Sequence, residues 1–64
     1  MREIKRGKYF KIISMNVNGY KYYFVCNTCY NGFIRVFRHI DYAIEKFKEL
    51  EKCMEDIDKI AKES

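Results

Sequence analysis

Asn18-Gly19 separates two runs, Tyr9 to Val17 and Tyr20 to Cys29, that are dense in β-branched and aromatic residues. This dipeptide limits the fold more tightly than anything else in the chain. Asn and Gly both accept positive φ, so they close a two-residue hairpin turn that sets the pairing of every residue after it. Val17 then opposes Tyr20. The same register pairs Met15 with Tyr22, Ile13 with Phe24 and Lys11 with Cys26 on one face. The other face pairs Asn16 with Lys21, Ser14 with Tyr23, Ile12 with Val25 and Phe10 with Asn27. The first face is read as the core face.

A second Asn-Gly step, Asn31-Gly32, turns the chain into a third strand from Phe33 to about Arg38. A three-residue loop, Tyr30 to Gly32 with Gly32 left-handed, places Ile34 and Val36 on the core face and Phe33, Arg35 and Phe37 outside. A two-residue loop reverses those assignments and buries Arg35, which costs more than exposing aromatic rings, so the first register is preferred.

After His39 the apolar period changes from two to about 3.6. Ile40, Ala43, Ile44, Phe47, Leu50, Met54, Ile57 and Ala61 recur three and four apart, which predicts a helix from Ile40 to Lys62 with His39 or Asp41 as its N-cap. The expected fold class is α+β, of order β-β-β-α: a three-stranded antiparallel sheet with one long C-terminal helix on one face. Residues 1–8 read as a basic arm, 9–39 as the sheet and 40–62 as the helix, all in one domain. About 22 helical residues span ~33 Å, whereas strands of seven or eight residues span ~25 Å. The last turns therefore overhang the sheet, and the stripe Met54, Ile57, Ile60 and Ala61 is the expected interface of a homodimer.

At 48% hydrophobic and 17% aromatic residues, the composition excludes a disordered tail. The longest apolar run, Tyr22 to Cys26, is too short to span a membrane, and the basic start MREIKRGK lacks the apolar stretch of a signal peptide. With an odd count of three cysteines, the expectation is a cytoplasmic protein.

Cys26 and Cys29 stand in a Cys-x-x-Cys spacing that His39 and Cys53 would complete as a zinc site. Two features oppose it. The paired cysteines lie an odd number of positions apart on one strand and point to opposite faces. Cys53 and His39 are ~20 Å apart along the helix axis. A three-ligand site without Cys53 stays open as the alternative, but the preferred expectation is that the chain holds neither metal nor cofactor. No phosphate-binding glycine loop, carboxylate pair or Ser/His/Asp arrangement occurs, and no enzyme activity is expected.

The net charge of +4 conceals an asymmetry. Residues 1–40 carry eight Lys or Arg and one acid, 8 − 1 = +7, whereas residues 41–64 carry five and eight, 5 − 8 = −3. The halves are expected to face different partners. Arg2, Lys5, Arg6 and Lys8 are expected on the phosphates of a nucleic acid, and Lys21, Tyr23 and Arg35 toward its bases, on a face that also offers Asn16, Asn27, Phe33 and Phe37. The competing expectation is an inhibitor or adaptor that docks an aromatic sheet face on a protein.

The stretch VFRHIDYAIEKFKELE, Val36 to Glu51, with the hairpins before it, resembles the three-stranded-sheet-plus-helix domains of phage-type tyrosine integrases and of plant ethylene-response regulators. Phe37, His39 and Ala43 fall at the offsets of their strand-end aromatic, Thr cap and helix Ala, with His39 replacing the Thr. The resemblance covers residues 9–51 and implies a sheet set in the DNA major groove with the arm on the backbone. It implies a stand-alone regulatory or accessory protein of phage or mobile-element type. It also implies that Phe37 packs toward the helix, which the strand register permits only with a bulge near Arg35.

Overall fold

The computed structural model describes residues 1–28 and 32–63, in which five elements follow one another: β1 (Arg2–Arg6), β2 (Phe10–Val17), β3 (Tyr20–Asn27), β4 (Phe33–Phe37) and α1 (Ile40–Glu63). Asn18 and Gly19 take φ of 52° and 83° and close the β2–β3 hairpin in the expected register, from Val17 opposite Tyr20 to Phe10 opposite Asn27. The fold is α+β, an antiparallel sheet followed by one C-terminal helix. Of the expected loop, Tyr30 to Gly32, residues 30 and 31 lie outside the described residues.

The sheet has four strands in the order β1-β2-β3-β4, not three. Residues 2–6 are no loose arm; they pair with β2, Arg2 opposite Ser14 and Arg6 opposite Lys11, with an irregularity at Ile4. The segment REIKR shows no apolar alternation because all five residues are exposed on an edge strand. Backbone pairing alone makes it a strand, and charge on an edge discourages further pairing.

The helix covers the opposite face of the hairpin from the one read as core. Phe10, Ile12 and Val25 form the buried cluster with Ala43 and Phe47 of α1, and Tyr9, Tyr23, Phe37, Ile44, Leu50 and Met54 pack against it. Ile12 and Val25 are completely buried, each worth about 1.5–3 kcal/mol. Both hairpin faces are apolar at their centres, so alternation does not choose between them. The polar groups that marked this face as outer, Asn16 and Lys21, stand at the exposed hairpin tip.

In β4, Arg35 opposes Val25 while Phe33 opposes Cys26, so Ile34 is an extra residue, a bulge. It turns Phe33 to the side of Cys26 and Phe24, and its ring lies 4.6 Å from that of Phe24. Arg35 and Phe37 stay on the helix side.

The helix is held at the β1–β2 turn by Glu51, whose Oε1 accepts the backbone amides of Tyr9 at 2.9 Å and Phe10 at 2.8 Å. Gly7 makes this approach possible. A Cβ there would collide with the Glu51 carboxylate and stand 2.7 Å from Cζ of Phe47.

Hydrogen bonds to a charged acceptor contribute about 1.5–3 kcal/mol, so Glu51→Ala is expected to lower stability by about 2 kcal/mol in urea unfolding, with Glu51→Gln losing less. Gly7→Ala should destabilise through the same contact, and an unchanged midpoint in Glu51→Ala would show that the helix is anchored elsewhere.

Candidate functional site

Alternation along β2 and β3 sends Ile13, Met15 and Val17 to the side away from the helix, opposite Phe24, Tyr22 and Tyr20. The β4 bulge adds Phe33, and the pairing of Val36 with Phe24 adds Val36. These side chains make one apolar face with no element over it among the described residues. Tyr20, Phe33 and Val36 are 56%, 55% and 53% exposed. Ile13 and Cys26 are buried without a covering helix, beside a hollow of about 210 Å³ that Met1, Lys11 and Phe33 also line.

Cations edge this face. The Arg38 guanidinium lies 4.8 Å from the ring centre of Tyr20 and 5.3 Å from that of Tyr22, within the range of cation–π attraction. Lys11 stands opposite Cys26, and Arg6 is neutralised by Glu3 at 2.7 Å.

The seven residues expected at nucleic acid do not share this face. Lys5 lies on the helix side, its ammonium 5.7 Å from the Phe47 ring centre. Arg35 lies 6.0 Å from the Phe37 ring centre and lines a hollow with Glu45 and Glu49 of the helix. Lys8 reaches Asp58 at 3.9 Å, and its ammonium is pushed above the ordinary lysine value, first by a hydrogen bond with Tyr9 and then by the charges of Tyr9 and Asp58. Tyr23 packs against the core cluster. Three of the seven do converge: Arg2, Lys21 and Tyr23 line one hollow with Ser14 and Ile40, on the helix side. Only Arg6 faces the open side, paired as described.

The +7 and −3 halves therefore meet within the molecule. Asp58 accepts the Tyr9 hydroxyl at 3.3 Å and pairs with Lys62 at 3.4 Å, besides facing Lys8. Tyr20, Tyr22, Phe24, Val36 and Arg38 were missed as surface residues, because the alternation that gathers them also marks a core face.

Of the proposed zinc ligands, Cys26 is buried with its thiol 3.8 Å from the Phe24 carbonyl, Cys53 is exposed on α1, and His39 packs edge-on to Tyr42 at 5.9 Å. Cys29 lies outside the described residues. Among those described, no group of three His, Cys, Asp or Glu side chains is placed to hold a metal, and no helix is long and apolar enough to cross a membrane. Of the expected homodimer stripe, Met54 packs on the core, while Ile57, Ile60 and Ala61 are exposed past it.

Comparison with protein-family models, curated proteins and solved structures finds no match for this chain.

Burial pushes the Cys26 thiol up, against a smaller opposing pull from Lys11. The thiolate is the reactive species. In a Cys29→Ser background, a disulfide reagent at neutral pH is expected to modify Cys53 rapidly and Cys26 only on unfolding; equal rates would contradict the burial of Cys26.

Proposed function

We propose that this chain is a non-enzymatic binding module whose open sheet face docks on a protein partner. One observation carries the proposal: the face away from the helix is continuous and apolar from Val17 and Tyr20 to Phe33 and Val36, at 39%, 56%, 55% and 53% exposure. Three strands, β2 to β4, ~4.8 Å apart and ~20 Å long make an apolar face of roughly 300 Å². That is the lower end of the range for the largest apolar patch on a typical monomer, and such patches mark contacts.

The partner's chemistry follows from the edge. Lys11 and Arg38 have no carboxylate partner among the described residues, so the matching surface is apolar with acidic groups at its border. Tyr20, Tyr22 and Phe33 are aromatic residues of the kind in which interface energy concentrates. A nucleic-acid interface is more polar and far more cationic than this face. The surface thus favours an inhibitor or adaptor over a reader of DNA.

Immobilised wild-type protein, challenged with nuclease-treated extract, should retain a partner that Phe33→Ala and Tyr20→Ala lose and Lys5→Ala keeps. Retention that disappears with nuclease would instead establish nucleic acid as the ligand, and salt titration would then show a logarithmic slope of about −0.9 per phosphate contact. A partner held equally by all the variants would remove the face from the account.

A second contact is favoured by Ile57 and Ile60, 52% and 67% exposed on either side of Asp58, where contact with the β1–β2 turn ends. We propose that this end pairs two copies helix to helix. Light scattering should give twice the monomer mass for the intact chain and the monomer mass for Ile57→Lys; a monomeric intact chain would exclude the pairing.

A further inference from the structure

On the helix side of the sheet, away from the docking face and independent of it, the structure assigns a second binding site: the hollow between Arg2, Ser14, Lys21, Tyr23 and Ile40 takes a phosphoryl group. Its volume is about 330 Å³, and a neighbouring hollow of about 170 Å³ shares Arg2, Ser14 and Lys21. A water molecule takes ~30 Å³, so a tetrahedral oxyanion fits with several waters.

The lining is that of an anion site. Arg2 and Lys21 come from strands that are not neighbours, β1 and β3, and neither forms an ion pair among the described residues. Ser14 lies on β2 between them, opposite Arg2 on one side and Tyr23 on the other. It is a polar residue at 5% exposure, and its hydroxyl has no hydrogen-bond partner among the described residues. No buried side-chain oxygen among the described residues lacks a partner, so this hydroxyl is not sealed off but opens onto the hollow between the two cations as an available donor. A phosphoryl oxygen accepts from it, and charge-assisted bonds from Arg2 and Lys21 suit the remaining oxygens.

Ile40, the first residue of α1, also lines the hollow. The first turn of this 24-residue helix has no side-chain cap among the described residues; the His39 carbonyl accepts the Ala43 amide at 3.4 Å while the His39 ring packs on Tyr42. An uncapped N-terminus adds positive potential. Two carboxylates are near enough to oppose an anion. Glu3 lines the hollow but is bound to Arg6 at 2.7 Å, and Asp41 is exposed in the first turn outside the lining.

The phosphoryl group can come from a free phosphate compound or from a nucleic-acid backbone, and one experiment separates them. Backbone amide NMR shifts are followed on the full chain during titration with inorganic phosphate, with chloride at matched ionic strength as control. Saturable shifts are expected at Ser14, Lys21, Tyr23 and Ile40 with phosphate and not with chloride. Ser14→Ala, which leaves the charge unchanged, should weaken phosphate about tenfold, and Lys21→Gln comparably. Shifts no larger than those of chloride, or saturation unaltered by both variants in spectra that remain folded, would overturn the site. A short DNA duplex that shifts the same residues places the ligand on a backbone; phosphate binding without it places the ligand among free phosphate compounds. Neither result depends on the docking face, which Phe33→Ala tests separately.

Discussion

The Glu51 carboxylate, set against the amides of Tyr9 and Phe10, holds the helix in the one position on which the other surfaces depend. Phe47 enters the core one turn earlier, so the apolar anchor and the polar anchor fix both the rotation of α1 and its position along the sheet. The arrangement needs a glycine at position 7, because any Cβ would occupy the carboxylate's space. With the helix held there, its last turns pass Tyr9 and Lys8, and the hairpin tip extends uncovered at the opposite end. The molecule is accordingly long, 49 × 21 × 15 Å.

The division of charge along the chain gains its meaning from that placement. A basic sheet laid under an acidic helix brings Lys8 to Asp58 and Arg35 beside Glu45 and Glu49. Only the first is an ion pair, and an exposed one contributes little. Strand register sets Lys5, Lys21 and Arg35 on the helix side, where they stay exposed, and leaves the open face to apolar and aromatic side chains edged by Lys11 and Arg38. Arg2 and Lys21 meet no acidic acceptor from the helix, which begins near them.

A chain of this size with a single helix covers only one face of its sheet. The uncovered face then either carries polar side chains, as in half-solvated sheets, or meets a partner. Here it carries Tyr20, Tyr22, Phe24, Phe33 and Val36. Phe33 is there because of the Ile34 bulge; without it, alternation would send Phe33 to the helix side.

The hairpin register, the helix from Ile40 and the α+β class were legible in the sequence, because positive φ at Asn-Gly and a 3.6-residue apolar period act over short distances. The edge strand was not, since REIKR becomes a strand only when β2 offers its backbone. The site was legible only in part: Arg2, Lys21 and Tyr23 were named and do converge, whereas Lys5, Lys8 and Arg35 were named and turn toward the helix. Alternation determined which side chains travel together, Ile12 with Val25 and Ile13 with Phe24. Only the tertiary structure decided which set is covered, because both sets are apolar and the choice rests on contacts distant in the chain, Glu51 with Tyr9 and Phe47 beside Gly7.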